Sequence, residues 1–216
     1  MRIQPLSKLL VVGVLLSFLS GCGVLAVGGV AATASVMADR RSPGVQAIDK
    51  GLELEADSAL SKRFSNSAHI NVNSFNQKVL LTGEVKNDEI KEQAAEYVKS
   101  LKNVRSVLNQ LIIGPNSSYA ARANDSYLDS KVKTQMIFTD KLPSNSMDIV
   151  VEADNVYMLG ILTQSEADLA KKVASNTNGV KEVFAFFDII SDAEKARLEK
   201  LGKAEETQPT SPSKFQ

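Results

Sequence analysis

The chain has 216 residues, with 25 Lys and Arg against 25 Asp and Glu, so its formal net charge is zero. That balance lacks the basic field of a nucleic-acid protein, and no nucleic acid is expected as a partner. A single cysteine (Cys22) and a single histidine (His69) allow no internal disulfide and show no spacing of a metal-ligand motif, so the expectation is no metal, no cofactor and no enzyme.

Arg2 and Lys8 precede the mostly apolar run Leu9–Leu19, and Leu19-Ser20-Gly21-Cys22 follows. A charged start, a short apolar stretch and small residues at a cut make a secretory signal peptide. The run is shorter than the ~17–25 residues a spanning helix needs. The tetrapeptide resembles the bacterial lipobox, in which the Cys is acylated and becomes the first residue of the mature chain. Residues 1–21 are then a lipoprotein signal peptide, and Cys22 is the lipidation site. Removing 1–21 takes away two bases and no acid, leaving 23 basic against 25 acidic side chains. The residue after Cys22 is Gly23; an Asp there commonly signals inner-membrane retention, so its absence favours the outer membrane. Residues 22–46, rich in Gly, Ala and Val before Arg40-Arg41-Ser42-Pro43, read as the lipidated N-terminus and a flexible tether.

From residue 47 the chain is one motif written twice. Val79-Leu80-Leu81-Thr82-Gly83-Glu84-Val85 matches Val156-Tyr157-Met158-Leu159-Gly160-Ile161-Leu162, and Asn103-Val104-Arg105-Ser106-Val107 matches Gly179-Val180-Lys181-Glu182-Val183. Leu52, Ala56, Leu60 and Phe64 predict a first helix, as do Leu128, Val132 and Met136 in the second copy. Period-two runs follow, at Ile70/Val72 with Val79–Val85, and at Met147–Val151 with Val156–Leu162; polar turns join each pair into a hairpin. Second helices carry Ile90, Ala94, Tyr97 and Leu101, and Ala167, Ala170 and Ala174, and a last strand ends each copy at Val104–Ile113 and Val180–Ile190. The fold class is α+β: two tandem domains (47–114 and 124–191), each αββαβ, with a three-stranded mixed sheet packed on two helices. Asn103 and Gly179 fall at the same place after the second helix and fit a left-handed cap. Residues 192–216 read as a C-terminal helix and a disordered tail.

In the second copy Leu80, Thr82 and Glu84 become Tyr157, Leu159 and Ile161, and Gln110 becomes Phe186. That sheet is apolar on both faces, and its outer face needs a cover. The expected cover is the other sheet, with Gly83, Gly160, Tyr157 and Phe186 between the domains and the two glycines permitting close approach. A partner protein is the competing cover.

The strand-Gly, helix, Gly-Val-x-x-Val pattern resembles the BON domain of bacterial envelope proteins. With the lipobox and tether, the chain looks like the DolP (YraP) family of dual-BON outer-membrane lipoproteins; Asn124-Asp125-Ser126-Tyr127, Lys131-Val132-Lys133 and Met158-Leu159-Gly160 are especially similar. The resemblance implies a non-enzymatic, lipid-anchored periplasmic protein of the outer membrane that binds anionic phospholipid (phosphatidylglycerol, cardiolipin) and supports envelope integrity, in some members at the division site. It places the lipid surface on the first helix of the second domain, here Tyr127, Lys131, Lys133, Thr134 and Phe138. The family often carries Trp where this chain has Tyr127. Rival readings are an adaptor that binds an envelope protein partner and an osmotic-stress protein of the OsmY type, which lacks the lipid anchor. His69 reads as an exposed neutral side chain, and Asp88, Glu89, Glu166 and Asp168 as acids favoured at helix starts by the helix dipole.

Overall fold

The computed structural model describes residues 39–65 and 67–206, with side chains described as far as residue 201. The signal segment, Cys22, the tether before residue 39 and the tail after 206 lie outside the described residues.

The first repeat is α1 (Pro43–Phe64), β1 (Ala68–Phe75), β2 (Lys78–Val85), α2 (Asp88–Ser100), β3 (Ser106–Asn109) and β4 (Ile112–Ile113). The second is α3 (Tyr119–Phe138), β5 (Met147–Glu152), β6 (Asn155–Leu162), α4 (Gln164–Ser175) and β7 (Val183–Ile189), and α5 (Asp192–Glu206) follows. In each sheet the central strand pairs antiparallel with the strand before it and parallel with the last one. The last strand of the first repeat is split into β3 and β4, both paired with β2, by Gln110 and the buried Leu111.

Helix starts follow local chemistry. Ser42, Asn87 and Ser118 each accept a hydrogen bond from the backbone N–H three residues on. Thr163 and Glu166 form a reciprocal capping box that opens α4. Asn103 and Gly179 both take positive φ, 71° and 106°, but in the turn beyond each helix; the caps themselves are Leu101 and Asn176, neither of them left-handed.

Both hairpins have two-residue turns with positive φ at both positions, Asn76-Gln77 and Ala153-Asp154. Such turns match the strand twist but are costly for residues other than Gly, Asn or Asp. Here a buried carboxylate from the first helix holds each turn. Asp49 accepts from the backbone N–H groups of Asn76 and Gln77 at 2.8 and 2.7 Å, and from the Ser74 hydroxyl. Asp125 accepts from those of Ala153 and Asp154 at 3.1 and 2.9 Å.

Each repeat has its own core between helices and sheet. Leu52, Leu60, Val79, Leu81 and Val98 belong to the first, and Leu128, Val132, Met136, Met158 and Leu162 to the second. A third apolar cluster joins the outer sheet faces: Phe75 and Leu80 from the first repeat, Tyr157, Leu159 and Ile161 from the second, with Phe184, Phe186 and Leu198 packed against it. Around it Lys78 and Asn76 reach Asp188 at 2.9 Å, Arg105 bonds the same carboxylate, and the Asn71 amide donates to Glu152 at 2.7 Å.

The N-terminal edge differs from the expected tether. Arg40 is 6% exposed and Arg41 is half-buried, and both are built into the body. Arg40 donates to both Glu166 carboxylate oxygens at 2.7 and 2.9 Å and to the Ile161 carbonyl at 2.8 Å. Arg41 binds Asp39 and Asp49 and lies 3.8 Å over the Phe75 ring. A charged side chain is almost never fully buried unless paired, and both arginines are paired. α1 begins at Pro43, which suits a first helical position because its missing N–H costs nothing there.

Candidate functional site

The glycine part of the expected interdomain set is corrected by strand parity. Val79, Leu81, Gly83 and Val85 share the helix face of β2, as Val156, Met158, Gly160 and Leu162 share that of β6; the outer faces carry Leu80, Thr82 and Glu84, and Tyr157, Leu159 and Ile161. A Cβ on Gly83 would sit 2.0 Å from the His69 carbonyl oxygen, at φ 107°. One on Gly160 would meet the Ser146 carbonyl oxygen at 3.0 Å and Met147 Cβ at 3.1 Å. All of these neighbours lie in the glycine's own repeat, so neither glycine sets the distance between the sheets. Tyr157 and Phe186 do lie in the shared cluster.

The second predicted surface is α3. Leu128, Val132 and Met136 point into the core, as their spacing requires. Tyr127 and Phe138 project away, 68% and 83% exposed. Thr134 lies between them, its hydroxyl donating to the Ser130 carbonyl at 2.7 Å. Lys131 extends to the Asn178 carbonyl at 2.7 Å. Lys133 departs from the predicted set: it lies on the other flank, ion-paired to Asp129 at 2.9 Å and facing a cleft between the repeats. Tyr119 and Ile137, which the sequence reading did not single out, are also exposed on this helix, towards the flank of Lys133. Both are legible once the register of α3 is fixed by its buried stripe. No helix of the described residues is long and apolar enough to cross a membrane.

The cleft beside Lys133 is the other candidate. It has a volume of about 460 Å³, between β1 on one side and β5 with α3 on the other. His69, expected exposed, is half-buried here. Burial, and then the charge of Arg122, lower its imidazole pKa against the opposing pull of Glu84. Glu84 and Glu152 are buried, 7% and 4% exposed. One ligand-capable atom from each of His69, Glu84 and Glu152 lies within 4.8 Å of the others. Glu84 accepts from the Ser117 backbone N–H at 3.1 Å and Glu152 from the Asn71 amide, and among the described residues neither has a salt bridge. Burial pushes the Glu152 carboxyl up to about 7; the Asn71 amide opposes this, and the Glu84 and Asp125 charges add to it. No sequence spacing announced this group, because Glu152 arrives from the other repeat.

A doubled αββαβ unit with the Gly-Val-x-x-Val turn defines a BON-domain protein, and the BON domain model matches residues 49–115 and 124–187. Outer membrane lipoprotein DolP of Haemophilus influenzae is 34% identical over 189 residues, covering 87% of this chain and 98% of that protein. A 21 kDa hemolysin of Actinobacillus pleuropneumoniae is 27% identical, covering 70% of this chain and 79% of that protein. Osmotically-inducible protein Y of Escherichia coli is also 27% identical, over 54% of this chain and 60% of that protein. This chain belongs to the DolP family of BON-domain lipoproteins.

Proposed function

We propose that the protein acts without catalysis, as an anchored reader of anionic phospholipid. Lipid on Cys22 holds it at the bilayer, and α3 of the second BON domain makes a further contact with phosphatidylglycerol or cardiolipin. Through that contact it supports envelope integrity, including at the division site. The observation that carries the reading is the exposed pair Tyr127 and Phe138 beside Lys131. Aromatic side chains with a polar edge suit the membrane interface. A lysine near an anionic surface contributes about 1 kcal/mol. Lys133 contributes less, since Asp129 already neutralises it. The contact is weak by itself and works because the anchor supplies the local concentration.

The adaptor reading loses its first surface. The outer face of the second sheet is covered by the first sheet and by Leu198 of α5. An envelope protein partner would then dock on the C-terminal extension or on α3.

The test is backbone amide NMR of residues 23–216 with phosphatidylglycerol micelles and phosphatidylcholine micelles as control. Shifts confined to Tyr119–Phe138 and seen only with the anionic lipid are expected, and Tyr127→Asp with Phe138→Asp abolishes them. Absence of shifts in the unaltered protein overturns the lipid reading.

A further inference from the structure

We propose that His69, Glu84 and Glu152 form a divalent transition-metal site, of the zinc type, that ties the two BON repeats together. The three side chains come from β1, β2 and β5, so the ion would bridge facing sheets rather than staple one hairpin. His69 and Glu84 are register partners across β1 and β2 and project to the same outer face. Glu152 meets them from the second repeat, where the Asn71 amide already orients its carboxylate.

The donor set decides the class of ion. Zinc binds imidazole nitrogen and carboxylate oxygen at ~2.0–2.2 Å, which puts tetrahedral ligands about 3.3 Å apart. The three donor atoms here are within 4.8 Å, so side-chain adjustment closes the shell. One imidazole in three ligands disfavours magnesium and calcium, which take oxygen. A neutral imidazole and two carboxylates sum to a charge of −2, which a divalent ion balances. Without it the two buried carboxyl groups have only amide donors as hydrogen-bond partners among the described residues. Arg122 works against the ion, but its guanidinium is held by the Ser117 hydroxyl and carbonyl at 3.0 and 3.1 Å.

A second observation points to the same place. Thr82 is fully buried, and its hydroxyl oxygen is the one buried side-chain polar atom without a hydrogen-bond partner among the described residues. It stands two residues before Glu84 on the same strand face, opposite Asn71. Orphaned buried hydroxyls are rare and call for an explanation. A water in the open fourth position of the ion would give it a partner. The half-buried His69 and the cleft provide the entry path.

The test uses the full-length chain in detergent, stripped with chelator and titrated with Zn²⁺ by calorimetry and by thermal melting. One equivalent should bind and raise the melting midpoint saturably. Mg²⁺ and Ca²⁺ at the same concentration should leave it unchanged. His69→Asn and Glu152→Gln should each weaken zinc binding by about tenfold or more. His69 is half-buried, so His69→Asn should melt normally without metal and keep the comparison readable. Absence of binding by the unaltered chain overturns the proposal, as does wild-type zinc affinity in both variants.

Discussion

At the scale of single residues, Gly83 and Gly160 occupy equivalent positions but carry different constraints. Gly83 combines φ 107° with a Cβ position 2.0 Å from a backbone oxygen, so an added methyl has neither conformational nor spatial room. Gly160 has no such φ, and its tight neighbours include the flexible Phe187 ring at 3.2 Å. Gly83→Ala should therefore cost more than ~3 kcal/mol and Gly160→Ala about 1–2 kcal/mol, read from paired urea melts. Equal losses would contradict the assignment of backbone strain to Gly83 alone. Both glycines were visible in the sequence, and so was their parity with Val79, Leu81 and Val85, which places them away from the other sheet. The close approach was legible; its direction required following the alternation to its end. His69 was different. Nothing local marks it, because Glu84 reaches it by strand register and Glu152 by docking of the repeats.

At the scale of elements, the helix stripes and strand alternations placed both cores, since periodic burial is written locally. The hairpin turns were legible as turns but not in kind. Gln77 and Ala153 are poor candidates for positive φ, and what makes them acceptable is a carboxylate from a helix some thirty residues earlier in sequence. Asp49 and Asp125 recur at the same place in both copies, and the repeat alignment could have revealed them as a pair. Asp49 binds Ser74, two backbone N–H groups and Arg41, whereas Asp125, among the described residues, binds two N–H groups. Removing an acceptor leaves buried donors unsatisfied, at about 1–3 kcal/mol. Asp49→Ala should fall at or above the top of that range, because it frees three donors and also takes one of the two carboxylates from Arg41, which keeps Asp39, and Asp125→Ala near the middle. Hydrogen exchange at Asn76-Gln77 and Ala153-Asp154 should rise in the matching variant only. Loss of protection spread over the whole repeat would mean that the aspartates hold more than the turns.

At the scale of the whole molecule, the contact least foreseeable from sequence is the one that closes it. Arg40 looked like part of a tether; it lies buried against Glu166 and the Ile161 carbonyl, while Lys195 of α5 reaches the same carboxylate at 2.7 Å. The chain entering the first repeat and the helix leaving the second are thus both pinned to the start of α4. Glu166 was legible as a capping acid, and the capping box is present; its second duty depends on two residues more than a hundred positions apart. The consequence for acid stability has a definite sign. Burial alone would raise the Glu166 carboxyl, but hydrogen bonds from Arg40, Lys195 and the Thr163 N–H outweigh it and hold it at about 2, against 4.5 ordinarily. A folded-state pKa below the unfolded one means stability fully present above about pH 5 and lost as pH falls towards 2. The shift corresponds to roughly 3 kcal/mol. Arg40→Met should therefore destabilise the protein by about 3–5 kcal/mol at pH 7, because it leaves a buried carboxylate short of its main partner. The gap between variant and parent should narrow steadily from pH 5 to pH 2 in denaturant melts, as protonation removes the charge that Arg40 was holding. If the two stability curves instead run parallel through that range, the arginine contributes packing and not charge, and the closure of the molecule rests on its apolar cluster.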